Sequence, residues 1–213
     1  MVKKGSDDVI LRFAMNLFGP LLQGFLNIFP YIVVFISSLY HPYDPDLGWH
    51  LKYGEYFFQN GKILKENIFS TDMVGYHWAN SSWVTDLISY VTFNNFGFWG
   101  LSILSAAIVA ITFYFFSRAA KLDYFEKALI FPLLLYFLAP VTSVSFKGQL
   151  LSLMFTGVLI FLFKKFEDEK SKLIFLAVPL FMFWSNIRGQ FILGLAIFGF
   201  SILLYFVKIL LTS

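Results

Sequence analysis

The 213-residue chain contains no cysteine. Disulfides, thiol catalysis and thiolate metal sites are therefore excluded. Charge is scarce too: Asp, Glu, Lys and Arg make up 14% of the residues, where a soluble domain carries about a quarter. What remains is strongly apolar, with 58% hydrophobic residues, 29 phenylalanines and a mean hydropathy of +0.72. A soluble fold of this length cannot hide that much apolar surface, so the chain is an integral membrane protein. The N-terminal stretch MVKKGSDDVILRFAMNLFGP lacks a small-residue cleavage site, and Arg12 interrupts its apolar run. It is expected to be a retained cytoplasmic end leading into the first helix, not a signal peptide. A pI near 9.0 does not point to nucleic acid, because the basic residues fall between the apolar segments.

Crossing the hydrocarbon takes about 20 apolar residues. Six segments are candidates: 18–40, 98–117, 126–144, 149–164, 172–187 and 190–208. The fold class expected is therefore all-α, a multi-pass helical membrane protein forming a single domain over 1–213. Its long first outer loop, 41–97, carries short surface helices. Placing the N-terminus inside leaves Lys52, Lys62, Lys65, Lys147 and Arg188 outside and every other lysine and arginine inside. That asymmetry matches the positive-inside rule and puts the long loop in the periplasm or outside the cell. A plasma or inner membrane is the expected location.

No charged residue falls in the middle of a predicted span. Intramembrane charges usually mark ion or proton paths, so their absence counts against a pump or proton-coupled transporter. Nor do two matching halves carry broken helices, the usual transporter signature. The scattered prolines Pro20, Pro30, Pro132, Pro140 and Pro179 read as helix kinks.

Chemistry concentrates in the outer loop, in the stretch YHPYDPDLGWHLKYG at 40–54. Asp44-Pro45 has the form of an N-cap followed by proline at the first helical position. The helix it opens is amphipathic and is expected to end at Gly61. A second short helix, SSWVTDLISYVTFNNFG, lies along the surface or leads into the next span, after an irregular connector. Asp44 and Asp46 have two open readings. They cap the helix, with Asp46 and His50 four apart and able to pair, or they hold a divalent cation or act as a general base. His50 and His77 read first as locally bonded histidines. Trp49, Trp78, Trp83 and Trp99 read as interface-belt residues before sugar platforms, and Glu55, Glu66 and Asp72 as solvated. Asp86 is a secondary candidate facing the same cleft. Lys147 and Arg188 flank span ends at the depth of lipid phosphates, either as snorkelling anchors or as phosphate ligands, for which arginine has the better geometry.

The sequence DPDLGWHLKYGEYFFQNGKILKENIFS, followed by YHWANSSWVTDL, resembles multi-pass proteins related to the GT-C superfamily of lipid-phosphate-sugar glycosyltransferases. Their first outer loop carries D-x-D-x-W-W-H-L-x-x-G, then F-S-x-T, then W-x-N-x-x-W-L. Asp44, Asp46, Trp49, His50, Leu51, Gly54, Phe69, Ser70, Trp78, Asn80 and Trp83 fit that order. Downstream, FKGQLLS resembles R-P-Q-x-x-S, with Gln149 at the glutamine, and FWSNIRGQFILGL resembles W-x-N-x-H-G-x-F-x-x-G-L. Here Gly48 replaces the first tryptophan, Asn67 a common aspartate, Ser81-Ser82 a polar pair, Lys147 an arginine and Arg188 a histidine.

The resemblance implies a GT-C-like module that transfers a sugar from a polyprenyl-phosphate donor at the outer membrane face. It assigns Asp44 and Asp46 as catalytic, with Mg or Mn as the cation they would hold. His50, Lys147, Gln149 and Arg188 would bind the lipid phosphate or substrate, and His77, Trp83 and Asp86 are further candidates. The partners implied are membrane lipids and the polyprenyl-phosphate sugar. Members of the group are longer than this chain, which leaves a second reading open. In it the chain is a non-catalytic GT-C-derived subunit that packs in a larger membrane protein complex.

Overall fold

The computed structural model describes residues 4–77, 79–143 and 146–212; Lys3 and Trp78 lie outside them. The chain is all-helical and multi-pass, with no strand among the described residues. Its helices are α1 (Lys4–Ser37), α2 (Leu47–Asn60), α3 (Trp83–Ala120), α4 (Tyr124–Thr142), α5 (Gly148–Glu169), α6 (Ala177–Trp184) and α7 (Phe191–Thr212). Five of these, all but α2 and α6, are long and apolar enough to cross a membrane. Four of them match the expected spans 18–40, 126–144, 149–164 and 190–208 to within about five residues, while α3 contains the expected span 98–117 but begins at Trp83.

The remaining segment, 172–187, differs from expectation. It forms a 3-10 turn, Lys172–Leu176, followed by the eight-residue α6. At about 2.0 and 1.5 Å rise per residue these extend roughly 22 Å, short of the ~30 Å hydrocarbon. The segment nevertheless runs back along α5. Lys170 at its start touches Tyr205 of α7, and Ile187 at its end accepts a hydrogen bond from Thr85 at the other end of the bundle (3.0 Å). Trp184 anchors the return, fully buried, its indole N–H donating to Ser152 Oγ at 2.9 Å. Gly194 makes room for it, since a Cβ there would stand 2.3 Å from the indole ring.

Helix α3 is the centre of the bundle. The expected surface helix and second span are one 38-residue element, bent at Gly97, whose φ of 61° and ψ of −154° leave the helical region. Beyond the bend, Leu101, Ser105, Ile108 and Thr112 recur at helical spacing on the buried face. The hydroxyls of Ser105 and Thr112 are satisfied by carbonyls one turn back, as a dry interior requires. Their small size, with Gly157 on α5, lets the two backbones approach closely, a common membrane-helix packing device. Helix α1 from Phe18 onward and helix α7 bury little, and their apolar side chains face outward as lipid-facing surfaces do.

At one end of the bundle α2 lies against the first turns of α3. Contact is close because residue 54 is glycine. A Cβ there would be 2.4 Å from Tyr90 Cβ and 2.5 Å from the Asp86 carbonyl oxygen, neither of which can swing away. Gly54→Ala is therefore expected to cost about 1–3 kcal/mol, read as lowered thermal stability in detergent. Gly48→Ala on the same helix, with nothing within 4 Å, is the matched control and should be near neutral.

Candidate functional site

The expectation that Asp44 caps α2 with Pro45 at its first position is corrected. The helix begins two residues later, and Asp46 is the N-cap residue without a side-chain cap bond. Asp44 instead accepts a hydrogen bond from the Asp46 backbone N–H at 2.9 Å, and its Oδ1 lies 2.6 Å from Lys147 Nζ. The pull of that ammonium, at the N-cap of α5, explains the shift. The Asp44 side chain is fully buried, and its second oxygen has no hydrogen-bond partner among the described residues. Asp46 Oδ2 is 3.7 Å from the same ammonium, but its side chain is largely exposed.

The two carboxylates thus converge on a lysine. A divalent cation would have to displace that ammonium, and no group of three or more acidic or histidine side chains suited to a metal occurs among the described residues.

The expected Asp46–His50 pair is likewise replaced. His50 lies one turn before Gly54, on the face of α2 that meets α3. Its Nδ1 is 2.6 Å from Asp86 Oδ1. Asp86 is 3% exposed, and its other oxygen accepts from Asn80 Nδ2 at 2.9 Å. Against an ionised carboxylate, which only accepts, Nδ1 is the donor; in the neutral imidazole that tautomer leaves Nε2 as the ring nitrogen with a free lone pair. Asp86, secondary on sequence, is the buried carboxylate that lines the cavity.

Above this pair opens a cavity of about 520 Å³, lined among others by Asp46, Trp49, His50, Tyr53, Asp86 and Arg188. Arg188 arrives there because the loop after α6 is pinned to the start of α3. Asn186 Oδ1 accepts from the Trp83 indole at 3.0 Å, its backbone carbonyl accepts from Val84 N–H at 3.3 Å, and Thr85 holds the Ile187 carbonyl. Gly148 lets this loop close on α5, because a Cβ there would lie 3.0 Å from the Ile187 oxygen. Arg188 is half-buried, and no carboxylate lies within ion-pair distance of it among the described residues.

The cavity's remaining wall is the connector, which is more ordered than its irregular composition suggests. Asn67 Oδ1 accepts from the backbone N–H groups of Phe69 and Ser70, the job an aspartate would do in an Asx turn. An isolated antiparallel bridge joins Glu66 to His77. Trp49, Tyr53 and Phe69 form an aromatic cluster on one side of the opening, with ring centroids 5.5–6.4 Å apart. Burial, and then the Asp86 charge, push the Tyr53 phenol above its ordinary value, so it stays protonated and able to donate.

Asp46, His50, Asp86 and Arg188 are therefore brought together from three distant parts of the chain, with Asp44 and Lys147 beside them. Gln149, in the first turn of α5, does not line the cavity. His77 is exposed and 3.6 Å from Glu66. Trp83 is a structural staple, bonded to Asn186 and stacked on Phe57. Tyr53 and Asn67 were missed as cavity residues. Tyr53 carried a usable signal, since it stands three residues after His50 and shares its helical face. Comparison of the chain with known protein families, characterised proteins and solved structures finds no match.

Proposed function

We propose that this cavity transfers a sugar from a polyprenyl-phosphate donor to an acceptor hydroxyl at the outer membrane face. The observation that carries the reading is the convergence of a buried carboxylate–imidazole pair and a carboxylate-free arginine in one cavity at the end of an apolar bundle. In the step proposed, the acceptor oxygen bonds to the anomeric carbon and its proton passes to His50 Nε2. The bond from that carbon to the phosphate oxygen breaks, and the electron pair leaves on the lipid phosphate. Arg188 holds that phosphate through its planar fork. Asp86 keeps the imidazole in the accepting tautomer and balances the imidazolium charge, a division of labour common to acid–base pairs. Asp46 orients acceptor hydroxyls, and the Trp49–Tyr53 face supports the sugar ring. Asp44 and Lys147 are positioning residues that hold the α2 entrance against α5.

The test is transfer of radiolabelled sugar from polyprenyl phosphate in proteoliposomes. Arg188→Ala is expected to lower the rate about 10²–10³-fold, the usual effect of removing one anion-stabilising donor, with partial recovery in Arg188→Lys. Wild-type transfer with Arg188→Ala unchanged would remove the arginine from the mechanism. No transfer by the wild-type chain, together with a stoichiometric protein retained in mild detergent, would favour the non-catalytic subunit.

A further inference from the structure

The opposite end of the bundle holds a second, chemically different pair of cavities. One, of about 320 Å³, is lined by Arg118, Lys121, Lys127, Lys164 and Lys165 together with Asp168 and Glu169. The other, of about 470 Å³, lies between α3, α4 and α5 and is almost purely apolar, with walls that include Ile130, Phe131, Leu134, Leu138, Leu153 and Ile160. Ser117, Ala119, Leu122 and Lys164 belong to both, so the basic and apolar cavities adjoin.

The charges of the basic cavity do not cancel. Asp168 is taken by Lys121 at 2.7 Å and Lys164 at 3.3 Å, and Glu169 by Lys165 at 3.3 Å. Arg118 and Lys127 have no carboxylate within ion-pair distance among the described residues. Arg118 is exposed, as a loop cation on either side of a membrane would be. Lys127 is not: it is 8% exposed. Its ammonium has a π face for company, 5.2 Å from the centroid of Tyr31, whose hydroxyl bonds to Ser117 at 2.6 Å. The residue is thus largely withdrawn from water while no carboxylate accompanies its charge, whereas a simple topological preference for loop cations would leave it exposed, as Arg118 is.

We propose that these two cavities form a binding site for an anionic phospholipid. Its phosphate sits between Arg118 and Lys127, and an acyl chain runs into the apolar cavity between α3, α4 and α5. The phosphate supplies the charge Lys127 lacks, and the adjoining apolar cavity selects a lipid over a free anion. This site stands apart from the sugar-transfer reading, at the other end of the bundle, and neither depends on the other.

The test is native mass spectrometry of the full chain in mild detergent, titrated with phosphatidylglycerol or phosphatidylcholine. Wild-type protein is expected to hold one phosphatidylglycerol at least tenfold more tightly than phosphatidylcholine. Lys127→Met and Arg118→Gln should each erase most of that preference, while Lys172→Gln, an exposed cation outside both cavities, should keep it. Should Lys127→Met fail to fold, Arg118→Gln decides, since that side chain is exposed. Equal preference in wild type and Arg118→Gln would overturn the site. In a competition arm, dioctanoyl phosphatidate should displace the lipid at concentrations where inorganic phosphate does not. Equal displacement by the two would overturn the lipid assignment in favour of a free-phosphate site.

Discussion

Lys147→Met is expected to destabilise the protein by about 3–5 kcal/mol, the cost of removing one partner of a buried ion pair. The lysine is the only cation paired with the fully buried Asp44 side chain among the described residues, at 2.6 Å. Asp44's other oxygen already lacks a partner, so the substitution strands a carboxylate with one backbone N–H to satisfy it. The double variant Asp44→Asn with Lys147→Met removes both charges together. It should recover a large part of the loss, because replacing a whole buried pair is often near neutral. Equilibrium unfolding in mixed detergent micelles measures both variants against wild type. If the single and double variants lose equal stability, the coupling between these two groups is absent and Asp44 does not anchor the α2 entrance to α5.

The second large effect is on activity. Asp86→Asn is expected to lower the proposed sugar transfer by about 10²–10⁴-fold, the usual worth of a positioned acid–base pair. An asparagine at this position turns an N–H toward either His50 or Asn80, whose own donors already occupy both carboxylate oxygens. The imidazole then loses both its fixed tautomer and its counter-charge. His50→Gln should produce a loss of similar size, and the double variant should be little worse than either single one, since the two residues act as a unit. Transfer by Asp86→Asn within twofold of wild type would shift the base role to Asp46, the other carboxylate lining the cavity.

The candidate residues differ in how far each could be read from local sequence. His50 was legible as a candidate from its place in DPDLGWH, but its partner was not. Asp46 is the nearest carboxylate along the helix, whereas the actual partner lies 36 residues away on α3. Helical periodicity names which side chains share a face; it does not name what that face meets. The same limit explains Asp44. Local rules favour an aspartate before proline as a helix cap, and that preference is worth about 1 kcal/mol. A short contact with a lysine from another helix outweighs it. The 172–187 segment had the composition of a span, yet composition alone does not distinguish a full crossing from a 3-10 turn joined to a short helix.

The sequence by itself determined the environment and its consequences: an apolar chain without cysteine, long helices with uncharged centres, and a polar loop after the first span whose first helix ends at Gly61. These follow from lipid as a solvent, which forces every backbone group into a helix and expels charge from the middle of each span. Tertiary structure alone decided which polar groups meet. The close approach of α2 to α3 at Gly54 aligns His50 with Asp86, the loop pinned by Trp83 and Thr85 carries Arg188 into the same cavity, and Lys147 claims Asp44 from its helix. Contacts between residues far apart in the chain depend on how helices pack, and packing is a property of the assembled bundle rather than of any one segment.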